Sequence, residues 1–168
     1  VLLLDVGDYA EFVTSMSIQK NGNIIVGGHS ELPSINPDSQ LPRYESFVTR
    51  VTKDGKVDKE FGTDGFTRFE AFEGDGCVNN CEAVLVAPDG QVFGTFYSYN
   101  HNTQASRAYV YNLDTKGELK ESFNGEGIVA FPFSEVEIRT MSLALQGNKL
   151  LVGGFVYTNS GDSGEIFI

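Results

Sequence analysis

Short runs of alternating apolar and polar residues, broken by glycine, set the pattern of this chain. Residues 13–19 place Val13, Ser15 and Ser17 on one side and Met16 and Ile18 on the other. Residues 46–53 set Phe47, Thr49 and Val51 against Val48 and Arg50. Residues 1–4 and 23–30 are apolar runs, the second following an Asn21-Gly22 turn. Period-two alternation with β-branched residues predicts strands. The Asn-Gly dipeptide between two such runs predicts a hairpin with a type I′ turn, which needs positive φ twice.

The pattern then repeats. Residues 15–28 return as 83–96 and again as 141–154. Strands are predicted at 66–72, 82–87, 91–99 and 107–113, and again at 128–133, 140–145, 149–157 and 164–168. The hairpin punctuation recurs at Gly22, Gly90 and Asn148. A second motif, residues 51–65, returns as 114–127. In it Phe61 and Phe123 each precede a glycine-rich turn that ends at Gly65 or Gly127. A large ring in that position is expected to plug the space between neighbouring sheets, because it buries much apolar area. Only the connection after the third strand of each unit varies in length. It carries Pro33, Pro37 and Pro42 in the first unit and shortens to residues 159–164 in the third. Variation confined to one connection marks loops on one side of a repeat array.

Composition agrees with strands and tight turns. Gly numbers 19 and Phe plus Tyr 20 in 168 residues, a balance that disfavours long helices. The net charge of -11 disfavours nucleic acid, whose phosphates need clustered cations, and anionic membrane surfaces alike. No run reaches the ~20 apolar residues of a membrane span. Cys77 and Cys81 are close in sequence. A disulfide across a turn is the leading expectation, with free thiols next and a metal site last.

The phrase Asp54-Gly55, Val57-Asp58, Phe61-Gly62 and Asp64-Gly65, followed by a strand and then by residues 83–90 ending in Pro88-Asp89-Gly90, resembles the delta-60 repeat. The resemblance covers essentially the whole chain, as two full copies and a third cut short. Asn124 replaces the first glycine after Phe123, and Gln146-Gly147-Asn148 replaces Pro-Asp-Gly. Similar repeats form blades of β-propellers, usually in large secreted or surface-associated proteins. The resemblance therefore implies an all-β, propeller-like fold of about three four-stranded antiparallel blades. Their expected bounds are residues 1–65, 66–127 and 128–168, the last lacking its terminal turn motif. It implies an extracellular or cell-surface location and brings no shared catalytic motif. Physics points the same way, since such sheets stack radially and Gly27-Gly28 and Gly153-Gly154 let backbones approach closely. About three blades are fewer than a closed propeller needs. The expected partners are therefore further blades of the same protein, the chain being an excerpt, or identical copies.

Candidate chemistry is thin. Asp54, Asp58, Asp64 and Asp75, with Asn79 and Asn80 or Asn159 and Asp162, offer oxygens for calcium, but Asp and Asn in turns ordinarily satisfy their own backbone. No cofactor is expected. His29 has Glu31 nearby but no nucleophile beside it in sequence. Asp5 and Asp8 are candidates for a channel lining. Phe96, Tyr97, Tyr99, His101, Tyr109 and Tyr111 are candidates for a carbohydrate-binding surface or, more simply, cross-strand packing. The leading expectation is a non-catalytic scaffold that binds protein or carbohydrate. The alternatives are a propeller-type hydrolase or lyase with a metal in its channel, and a self-assembling filament or shell protein.

Overall fold

The computed structural model describes residues 10–131, 137–157 and 165–167. The expected strand at residues 1–4, Asp5, Asp8, Asn159, Asp162 and the loop 159–164 lie outside the described residues, as do residues 132–133 of the expected strand 128–133 and Ile168 of the last one.

The described part is all-β. The first meander consists of β1 (Glu11–Ile18), β2 (Ile24–Glu31), β3 (Tyr44–Val51) and β4 (Phe66–Phe69). The second consists of β5 (Cys77–Val86), β6 (Val92–Asn100), β7 (Ala105–Leu113) and β8 (Ile128–Ala130). The third contains β9 (Glu137–Gln146), β10 (Lys149–Tyr157) and β11 (Glu165–Phe167). Neighbours within each meander pair antiparallel. One parallel pair, Tyr44 with Val78, joins β3 to β5 and merges the first two meanders into one mixed sheet.

This pairing shifts the phase of the expected units. Boundaries after Gly65 and Gly127 cut each sheet between its third and fourth strands. β4 pairs with β3 (Thr49 with Phe66) and β8 with β7 (Tyr111 with Ile128). The strand after each glycine-rich turn thus completes the sheet before it. The cause is local. Phe61 and Phe123 close a turn that folds back on the third strand, with the Asp58 N–H bonded to the Arg50 carbonyl and the Lys120 N–H to that of Asn112.

The hairpins differ from the expected type. Gly22 has φ +87° and Gly90 also +87°, while neither Asn21 nor Asp89 is left-handed. The Gly22 N–H bonds to the Gln19 carbonyl, and the Gln19 N–H to that of Asn23. The loop is therefore a type I turn closing onto a left-handed glycine, which no Cβ hinders there. In the third meander Gly147 holds the positive φ, at +62°, and Asn148 does not. The loop is two residues there, and the first strand of that unit is displaced by one from its sequence alignment. At the other turn Asn124 keeps the left-handed conformation of Gly62 (φ +55° and +60°). Asn tolerates that region better than most residues, so the substitution preserves the turn.

The core lies between the first and second meanders. Ile25, Val48, Phe61 and Phe69 from the first meet Val84, Val92, Phe96, Tyr111 and Leu113 from the second. Phe61 is fully buried against Gly117 of the next unit, where an added Cβ would fall 2.8 Å from its ring. The Gly62 N–H bonds to the Lys116 carbonyl (2.7 Å), Thr67 Oγ1 to that of Gly117 (2.6 Å) and Arg50 Nη1 to that of Thr115 (2.6 Å). The Arg50 guanidinium, held by Asp58 at 2.8 Å, lies over the Phe61 ring. The expected plug is therefore real for Phe61. Phe123 is only half-buried and lies edge-on to Phe93.

The inner strands dock through their edges. Ser15 and Ser17 hydroxyls on β1 accept the Val84 and Val86 N–H groups of β5, both at 3.0 Å. A β-bulge interrupts β1 at Thr14 and β5 at Glu82. Each bulge turns its extra residue toward the following meander. Thr14 Oγ1 donates to the Cys81 carbonyl (2.7 Å), and Glu82 binds Arg139 of β9 (3.1 Å).

Phe61→Ala is expected to cost about 3–5 kcal/mol, and Phe123→Ala less than half as much. Urea unfolding of the two variants measures the difference. Equal losses would mean that Phe61 is not the special plug its burial implies.

Candidate binding site at the loop end

Three connections gather at one end of the sheets and are tied together by backbone bonds. The Gly76 N–H meets the Pro42 carbonyl, and the His101 N–H meets that of Gly76. Asp75 clasps the first loop, its two carboxylate oxygens accepting the Ile35 and Asn36 N–H groups at 2.8 Å each. Those bonds hold its carboxyl below the ordinary range. Asn102 Nδ2 donates to the Asp75 carbonyl from the third loop.

Asn79 organises this end from beneath and was not singled out as such by sequence. It is fully buried on β5. Its Oδ1 accepts from the Ala71 N–H (3.0 Å) and from the Ser98 hydroxyl. Its Nδ2 donates to the carbonyls of Tyr44 (2.9 Å) and Phe72 (3.0 Å). One side chain thus links β3, the β4–β5 connection and β6. An Asn in an alternating strand carries no sign of this role, because its partners come from 7 to 35 residues away.

The aromatic group expected to form one surface divides in two. Phe96, Tyr109 and Tyr111 stack with Phe69 toward the first meander, Phe96 on Tyr109 at 4.6 Å and Phe69 on Tyr111 at 4.5 Å. These rings are packing. Tyr97, Tyr99 and His101 alternate to the other face of β6. With Val78 and Arg139 they line an open cleft of about 230 Å³. The Arg139 guanidinium lies 4.1 Å from the Tyr97 ring centre. Tyr99 stands edge-on to His101 at 4.8 Å, and its hydroxyl donates to Gln104 Oε1 at 2.6 Å. Burial raises the pKa of Glu82, and its partner Arg139 opposes that rise. The cleft therefore offers aromatic faces, a cation and hydrogen-bonding groups on a fixed frame.

The other candidates fall elsewhere. Asp54 is exposed in the turn after β3, Asp58 pairs with Arg50, and Asp64 sits at φ +54° in the next turn. Asp75 lies at the opposite end of β3 from these three. Among the described residues, no group of three or more His, Cys, Asp or Glu is placed to hold a metal ion. No helix among them is long and apolar enough to cross a membrane.

The expected disulfide is corrected. Cys77 and Cys81 are both free and buried on the single strand β5. Four extended residues separate their Cα atoms by about 13 Å, far beyond the reach of a disulfide. Burial raises both thiol pKa values, that of Cys81 to about 12.

His29 stacks on Phe12 at 5.0 Å and meets the edge of Tyr44 at 5.6 Å. Its Nδ1 is buried without a hydrogen-bond partner, and burial lowers its pKa from 6.5. It packs as one of three contacting aromatic rings.

No protein-family model matches the sequence, and no curated protein matches it closely enough to lend it a function.

Two predictions follow from these side chains. Asn79→Leu keeps the branched outline while adding bulk, and leaves two carbonyls, an N–H and the Ser98 hydroxyl without this partner. It is expected to cost about 3 kcal/mol or more and to deprotect the Ala71 amide in hydrogen exchange. Unchanged stability would deny Asn79 its linking role. Burial lowers the pKa of His29 in the fold, while the unfolded chain takes up a proton near pH 6.5. The folded chain protonates His29 only at a lower pH than the unfolded chain does, so its contribution is complete above about pH 6.5 and lost as pH falls toward the lowered folded-state pKa. His29→Phe should therefore lose less melting temperature than the parent between about pH 7 and pH 5. Parallel melting curves would refute this assignment.

Proposed function

We propose that this chain is a segment of a β-propeller-like repeat array that acts as a non-catalytic binding scaffold, extracellular or on the cell surface. Each meander is a blade in this reading. The observation that carries it is a division of labour. The first and second meanders dock through hydroxyls, glycines and a buried ring, while two of the connections of variable length meet at one end beside the Tyr97–Tyr99–His101–Arg139 cleft. Clefts with aromatic walls and a few fixed polar groups suit ligand binding. A sugar ring presents C–H faces to an aromatic plane and hydroxyls to Arg and Glu, so carbohydrate is the favoured ligand. The resemblance to the delta-60 repeat supports the propeller and the location. The repeats support a scaffold over an enzyme, since the same residues recur for packing.

Titration calorimetry against a panel of neutral and acidic oligosaccharides tests the proposal. At least one should bind, and Tyr99→Ala should weaken it by about tenfold or more with the melting temperature nearly kept. Failure across the panel, or affinity indifferent to Tyr99→Ala, would remove the carbohydrate reading.

A further inference from the structure

We infer that the cleft binds a sugar carrying an anionic group through Arg139, and that Glu82 competes with this ligand for the guanidinium, so that the site opens as pH falls. The inference deepens the binding-cleft reading above and rests on it.

Glu82 and Arg139 stand at the border of two meanders. Glu82 is the bulged residue of β5, and its Oε1 accepts from Arg139 Nη1 of β9 at 3.1 Å. The guanidinium lies 4.1 Å from the Tyr97 ring centre and lines the cleft with Tyr99 and His101. The Arg139 side chain is 33% exposed and that of Glu82 17%. The cation is thus open to the cleft, and the carboxylate holds it from beneath. Docking does not require this charge. The bulge of β1 carries Thr14, whose hydroxyl reaches the Cys81 carbonyl of the next meander at 2.7 Å. A neutral group joins meanders at that bulge, whereas a charged pair stands at Glu82 beside aromatic walls.

A guanidinium already positioned by a ring and a carboxylate suits an anion, which it can take with two parallel N–H bonds. The net charge of -11 gives an anion no general attraction to the chain, so at this cleft the ligand's charge depends on Arg139. While Glu82 is ionised, it neutralises Arg139 and repels that charge. Burial raises the Glu82 pKa against the pull of Arg139 and so brings its protonation closer to neutral pH. Among the described residues, Arg139 of β9 is the charged group that acts on Glu82. Cys81, its neighbour on β5, stays a thiol, with a pKa pushed up to about 12. His101 is a second titratable group lining the cleft. One proton from solvent on Glu82 therefore trades an internal ion pair for one between Arg139 and the ligand.

Titration calorimetry between pH 7.5 and pH 5.5 is the test. The probes are tetrasaccharides carrying a sulfate ester or a uronate, each beside its neutral counterpart. At least one anionic probe should tighten by about fivefold as pH falls, and its neutral counterpart should not. Its binding should also take up a proton, read as a heat that changes with the ionisation enthalpy of the buffer. Glu82→Gln keeps an oxygen for Arg139 but cannot ionise. It should bind that probe at pH 7.5 about as tightly as the parent does at pH 5.5. Proton uptake and pH dependence should persist in His101→Gln and vanish when Glu82→Gln is added. Anionic probes that gain no more in acid than their neutral counterparts overturn the inference, as does a pH dependence that survives both substitutions. Either result leaves the cleft reading standing. Failure of every probe, the neutral ones included, overturns both. Proton uptake by the parent and by His101→Gln decides the matter even where Glu82→Gln fails to fold.

Discussion

Everything in this fold depends on how one antiparallel meander is covered by the next. A sheet of short strands buries little by itself, and an isolated edge leaves backbone N–H groups without partners. Here the problem is met in two places. Along β1, Ser15 and Ser17 hydroxyls accept the Val84 and Val86 amides. Beyond β3, Phe61 fills the Gly117 turn, and Gly62, Thr67 and Arg50 bond to carbonyls of the same turn. The core between them is apolar because its neighbours are sheets and not solvent. The glycines matter most where they admit the neighbour, as at Gly117, where any side chain would meet Phe61.

Much of this frame was legible in the sequence. Alternation located β1 and β3, and recurrent Gly turns located the hairpins, because both signals depend on residues within a few positions of one another. Phe61 was readable as a plug for the same reason. What escaped depends on distant pairing. The fourth strand of each sheet lies beyond a turn, and only its ladder with the third strand shows which sheet it completes. The bulges at Thr14 and Glu82 change the face a residue points to, and nothing in the local pattern marks them. Asn79 gathers partners from three segments. The Cys77–Cys81 spacing favours a disulfide in a turn and forbids one in a strand, so that expectation turned on a secondary-structure assignment at residues 77–81. The aromatic residues around 96–111 were read as one group. Strand alternation divides them into a core stack and a cleft wall, a division that period two already contains.

The contacts that hold the first two meanders together and the cleft at the loop end occupy different parts of this molecule. The surface between the first and second meanders uses hydroxyls, glycines and apolar rings, with Arg50 held by Asp58 and bonded to the Thr115 carbonyl. Toward the loop end, Glu82 of β5, Tyr97 and Tyr99 of β6 and Arg139 of β9 stand on strands, and His101 stands on the connection after β6. Asn79 is where the two meet, since it holds the loops by bonds to backbone and so fixes their path without fixing their side chains. A cleft wall such as Tyr99 or His101 can therefore be exchanged with little effect on the core, whereas Asn79 cannot. The sheets specify where the loops stand, and the Glu82–Arg139 pair, spanning two meanders beneath the cleft, couples the position of one wall to the docking of the next sheet.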